Sequence, residues 1–239
     1  MTNYRQLQSH FIKEMADFLK EHGKKTVVWN EAITAGNADT DLIKETGAPV
    51  FCWQPDAAGA RKAAELGPDN VFTPWGPYYI NRKQSNDAAE ATLPGNGSDN
   101  VQNTYSQEAV PTDISAAQAA HYTGVQGTFW TEHVADRNLM EYLALPRLMA
   151  IAEAGWTPKA RKDFADFQKR ITADTLLLNY GGYNYGRHYI LTGEESGGET
   201  GQVMPKVSTA ESKTWYRLIT RATGARARQC IRILRAGPP

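Results

Sequence analysis

The apolar positions of this chain alternate between two periods, one helical and one of strands. Residues 4 to 22 carry Leu7, Phe11, Met15 and Phe18 at helical spacing, with Ile12 and Leu19 widening the stripe. Gly23 follows as a helix stop. Thr26–Trp29 is then a short β-branched run of the kind buried in parallel sheets. The alternation continues down the chain. A helix is expected near 39–46, a strand at Val50–Trp53, a helix over 57–66 and a strand at Val71–Thr73. Residues 74–113 read as a long polar loop, and 114–122 as a helix. "GVQGTFW", 124–130, reads as the fourth strand. Helices over 138–154, irregular at Pro146, and over about 160–173 complete the series.

One helix followed by four strand–helix units is the pattern of an α/β fold with a parallel sheet. The strands end in Trp29-Asn30-Glu31, Trp53-Gln54, Thr73-Pro74-Trp75 and Trp130-Thr131-Glu132. In barrels and in open parallel sheets alike, the strand C-termini are where ligands bind. No G-x-G-x-x-G and no P-loop follows any strand, so a nucleotide site is not indicated. Aromatic walls with sparse carboxylates suit a sugar: Trp faces stack on pyranose rings and carboxylates accept from hydroxyls.

Composition narrows the class. The chain has 239 residues, with 26 Lys+Arg against 26 Asp+Glu, so no long-range field draws it to nucleic acid or an anionic membrane. No apolar run has the ~18 residues a membrane helix needs. The polar, amphipathic N-terminus has no apolar segment of the secretory type. Cys52 and Cys230 form neither a disulfide framework nor a zinc pattern; Cys52 reads as a buried thiol, and no metal or organic cofactor is implied.

Three segments, "GKKTVVWNEA", "VFTPWGPYYIN" and "GTFWTEHVADRNLMEYLALPRLMAIAEAGW", resemble the second half of glycoside hydrolase family 20, the β-N-acetylhexosaminidases. The resemblance implies a partial (β/α)8 TIM-type barrel, about strands five to eight, over residues 1–190. A linker is expected at 191–206. A short β-rich extension at 207–239 reads as the start of an incomplete module. By the same resemblance Trp29, Trp53 and Trp130 wall a pocket for a terminal N-acetylhexosamine, and Glu132 grips outer hydroxyls of that sugar. Glu31 supports the pocket. Tyr79 hydrogen-bonds the acetamido carbonyl, with its neighbour Tyr78 as the alternative. Asn81 stands where the family often has Asp. The implied partner is an N-acetylhexosamine-containing glycan.

The family's chemistry is substrate-assisted. The acetamide oxygen attacks the anomeric carbon, a Glu is the general acid, and an adjacent Asp steers the acetamide. In the family that pair lies in a His-x-Gly-Gly-Asp-Glu motif at the end of the fourth strand of the complete barrel, upstream of the segments matched here. No Asp-Glu dipeptide occurs in this chain, so the general acid is expected outside it. A non-catalytic carbohydrate-binding module or a non-functional fragment are the other readings. Four strands cannot close an eight-stranded barrel. Open sheet edges are therefore expected to pair with a missing N-terminal half or to self-associate. The full-length protein is expected to be exported, as such enzymes often are.

Overall fold

A computed structural model describes residues 6–36, 38–54, 57–86, 90, 97–111 and 114–189. The expected linker and β-rich extension lie outside the described residues.

The sheet has four parallel strands in the order β1-β2-β3-β4: β1 (Val28–Trp29), β2 (Val50–Cys52), β3 (Asn70–Phe72) and β4 (Tyr122–Val125). Each strand lies beside the one before it in sequence. Val28 pairs with Val50, Phe51 with Val71, and Phe72 with Val125. The register slips between Asn70 and Val71, so two residues of β4 span one step of β3.

Helices α1 (Leu7–Glu21), α2 (Glu31–Thr34), α3 (Thr40–Thr46) and α4 (Ala58–Leu66) surround the first strands. The Asp39 side chain caps α3 by accepting from the Asp41 and Leu42 amides, and Gly47, at φ 59°, ends it. Val28, Val50, Cys52 and Phe72 pack with Ile33, Ile43 and Ala60 in one core. Alternation along the strands therefore turns Trp29 and Phe51 to the other face. Cys52 is 1% exposed, and burial pushes its thiol up to about 12, with Glu31 adding to the rise.

Several expectations need correction. The stretch 74–113 is not all loop: α5 (Val101–Ser106) stands in it, capped by the Asn100 side chain, and buries Val101 and Tyr105. The helix over 114–122 contracts to α6 (Ala116–Ala119), held by a reciprocal Ser115–Gln118 capping box. The fourth strand is Tyr122–Val125 and not 124–130. Its ladder with β3 stops at Phe72, whose carbonyl accepts from the Gln126 amide. Beyond that, Thr128 pairs with Tyr79. The helix over 138–154 is two, α7 (Arg137–Ala144) and α8 (Arg147–Trp156), divided by the cis Leu145–Pro146 bond. The next helix is a 3-10 turn, Lys159–Arg161, followed by α9 (Phe164–Ala173).

The tail adds α10 (Thr175–Tyr180) and buries Tyr185 and Tyr189 with Val101, Tyr105 and Phe167 in a second core. The apolar stripe of α1 is largely uncovered: Leu7, Phe11, Met15 and Phe18 are all exposed, and Ile12 packs against the first core.

Candidate functional site

The ends of β1 and β2 are tied together by one buried side chain. Asn30 is 0% exposed. Its Oδ1 accepts from the Trp53 amide at 2.9 Å, and its backbone N–H donates to the Phe51 carbonyl at 3.0 Å. The Asn30 carbonyl accepts from the Ile33 and Thr34 amides, so α2 starts directly beyond the strand. Glu31, first residue of α2, is thereby set beside Trp53, whose indole Nε1–H donates to Glu31 Oε1 at 2.6 Å.

The segment after β3 supplies the opposite wall. Gly76, at φ 100°, makes a turn that L side chains rarely adopt, and Tyr79 closes it by donating its amide to the Gly76 carbonyl. Residues 78–80 then run beside 127–129. The Thr128 amide donates to the Tyr78 carbonyl at 2.8 Å, and the Ile80 amide to the Thr128 carbonyl at 3.0 Å. Strand-like alternation sends Tyr78 and Ile80 into a core with Ile151 and Ala154. Tyr79 faces the other way, against Trp53 (ring centroids 6.5 Å) and Trp130 (6.3 Å). Trp130 in turn lies 5.9 Å from Trp29.

These four aromatic rings, with Glu31, line a cleft of about 540 Å³. Trp29 is 36% and Trp130 42% exposed, so both have free ring area. Burial pushes the Tyr79 phenol above its ordinary value; its hydrogen bond with Trp130 opposes this and the Glu31 charge adds to it. The hydroxyl therefore stays protonated, and able to donate, through the neutral range.

Among the sequence-derived candidates, Trp29, Glu31, Trp53, Tyr79 and Trp130 come together here. Tyr78 does not: it is 0% exposed, with its hydroxyl on the Gln107 carbonyl at 3.4 Å. Asn81 and Glu132 are not among the cleft's lining residues; Glu132 is exposed, in the turn beyond Trp130. Glu153 is held by Arg170 at 2.7 Å. His188 Nε2 lies 2.5 Å from the buried Glu90. Gln8 and Ile12 of α1 line the cleft as well. No motif marks them: Ile12 widens the helical stripe and Gln8 is an ordinary polar residue beside it. Among the described residues, no His, Cys, Asp and Glu cluster suited to a metal is present, and no helix is long and apolar enough to cross a membrane.

The catalytic-domain model of glycosyl hydrolase family 20 matches residues 1–159. A beta-hexosaminidase of Porphyromonas gingivalis is 32% identical over 196 residues, covering 82% of this chain and 24% of that protein. A beta-N-acetylhexosaminidase of Cellulomonas fimi is 30% identical over 172 residues, 71% of this chain and 33% of that one. Among solved structures, the family 20 exo beta-N-acetylglucosaminidase of Vibrio harveyi in complex with N-acetylglucosamine superposes with a TM-score of 0.63. It is 28% identical, over 78% of this chain and 28% of that one. The chain thus spans a quarter to a third of the length of these relatives.

Proposed function

The chain belongs to glycosyl hydrolase family 20, and from that premise we propose that its aromatic cleft holds the terminal β-linked N-acetylhexosamine of a glycan during hydrolysis. The observation that carries this is the convergence of Trp29, Trp53, Trp130 and Tyr79 on one cleft at the C-terminal ends of parallel strands. The relatives' names point the same way, and the Vibrio harveyi enzyme carries N-acetylglucosamine in its structure.

In this reading the sugar's apolar faces stack on the indoles. The protonated Tyr79 hydroxyl donates to the acetamido carbonyl, orienting its oxygen toward the anomeric carbon. Glu31 fixes Trp53 through the 2.6 Å bond. Glu132 and Asn81, outside the cleft's lining, serve outer hydroxyls only through contacts made with sugar bound. The four strands correspond to strands five to eight of an eight-stranded barrel. The family's Asp-Glu pair has no counterpart in this sequence. The chain therefore supplies the sugar-holding side of the site, and the general acid comes from elsewhere.

That same absence favours a second reading, a sugar-binding module without catalysis. Two measurements test what both readings share, binding of the N-acetyl sugar without turnover by this chain alone. Titration with N-acetylglucosamine, followed by tryptophan fluorescence, should saturate while glucose does not. A chromogenic N-acetyl-β-glucosaminide should be left intact by this chain alone. Equal responses to both sugars would defeat the proposal, and turnover by the isolated chain would defeat the assignment of the acid elsewhere.

A further inference from the structure

Arg147 opens α8, 0% exposed, and among the described residues no carboxylate lies within salt-bridge distance of it; Asp99 is taken by Arg82 at 2.8 Å. Its guanidinium is surrounded by main-chain carbonyls. Nη2 donates to Ile80 at 2.8 Å and Arg82 at 2.6 Å, Nη1 to Asp99 at 3.1 Å and Lys83 at 3.4 Å, and Nε to Leu143 at 3.2 Å. Three of these carbonyls belong to the segment that leaves Tyr79. Ile80 is fixed at both ends, its amide on the Thr128 carbonyl and its carbonyl on Arg147. Thr128 stands two residues before Trp130. One buried cation thus closes a circuit of backbone bonds whose outward-facing side chains are Tyr79 and Trp130.

We propose that Arg147 is a positioning residue for the sugar cleft, holding the Tyr79–Lys83 backbone so that the Tyr79 hydroxyl and the Trp130 indole stay in register. The proposal rests on the sugar-binding reading of that cleft. Only the planar fork suits the task, since its N–H groups diverge toward several carbonyls at once. A lysine ammonium concentrates its three donors at one point and leaves some of these carbonyls unpaired. Burial pulls the guanidinium down to about 10, against the opposing pull of the Asp99 and Glu90 charges, so it keeps its charge at neutral pH.

The test compares wild type and Arg147→Lys by the NMR resonances of the indole N–H groups and of the Tyr79 ring. The expected result is a folded variant in which the Trp130 indole and Tyr79 resonances move while the Trp53 indole, tied to Glu31, does not. The variant's dissociation constant for N-acetylglucosamine should rise about tenfold, the loss of a bond or two to a charged group. A folded variant with Tyr79 and Trp130 unmoved and wild-type affinity overturns the proposal. Should Arg147→Lys fail to fold, hydrogen exchange in the wild type decides. The Arg147 Nε–H should exchange as slowly as the Ile80 amide, and fast exchange beside a protected Ile80 overturns the proposal. If wild type binds no N-acetyl sugar, the functional reading fails on its own, and the resonances still decide the role of Arg147.

Discussion

Replacing Asn30 with alanine should loosen the cleft from beneath. The side chain is fully buried, and its Oδ1 is the acceptor for the Trp53 amide at 2.9 Å. Alanine removes that acceptor and strands the amide beneath Trp53, which costs ~1–3 kcal/mol. Losing the carboxamide volume adds ~1 kcal/mol for the cavity left behind. The expected destabilisation is therefore ~2–4 kcal/mol, a large fraction of the ~5–15 kcal/mol available to a domain. Thr34→Val is the internal comparison. The Thr34 hydroxyl donates at 2.9 Å to the Asn30 carbonyl, which retains the Ile33 and Thr34 amides. Its loss should cost under ~1 kcal/mol, because no buried group is orphaned. Urea titrations of the three proteins, read by tryptophan fluorescence at equal slope, give both numbers. A cost below ~0.5 kcal/mol for Asn30→Ala, or equal costs for the two substitutions, would refute the claim that this side chain joins the strand ends.

Other perturbations reach the site more directly. Trp130→Ala should weaken N-acetylglucosamine binding by about sixtyfold: 42% of the residue is exposed, and ~100 Å² of ring at ~25 cal/mol/Å² is ~2.5 kcal/mol. A change under twofold in calorimetry would count against stacking. Glu31→Ala should release the Trp53 indole, seen as a shift of that one indole N–H resonance; an unmoved signal would mean the 2.6 Å bond is not populated. Acid should weaken the tail. Burial pushes the Glu90 carboxyl up, but hydrogen bonds from Tyr142, the Gln84 amide and Ser85, with the His188 charge, hold it below its ordinary 4.5. A depressed folded value means the contribution is full above 4.5 and is lost as pH falls through the folded value. Glu90→Gln should flatten that part of the stability–pH curve, and an unchanged curve would exclude Glu90 as its source.

Much of the sheet was legible because its strands are short apolar runs bounded by Gly, Pro and polar residues. Val50–Cys52 and Asn70–Phe72 stand within a residue of expectation. The aromatic cluster was legible too, since strand C-termini in parallel sheets converge. The fourth strand misled because "GTFW" has the better β composition. The ladder instead uses Tyr122–Val125, half exposed and without an apolar period, and is chosen by backbone pairing to β3. Helix α5 was hidden in polar sequence, its Val101 and Tyr105 buried with residues of the distant α8, α9 and tail. Arg147 carries no pattern at all: its carbonyl partners are drawn from residues 48 to 67 positions away, and from one turn upstream. The α1 stripe was legible as helical spacing, yet Leu7, Phe11, Met15 and Phe18 stand open, while Ile12 of the stripe and the polar Gln8 line the cleft.

The most direct test of the sugar cleft is a structure of this chain with a cyclised acetamido-sugar mimic. The account predicts the mimic's ring between Trp29, Trp53 and Trp130, its acetamide-derived group within hydrogen-bond reach of the Tyr79 hydroxyl. A mimic bound elsewhere, or an empty cleft at saturating ligand, would contradict it.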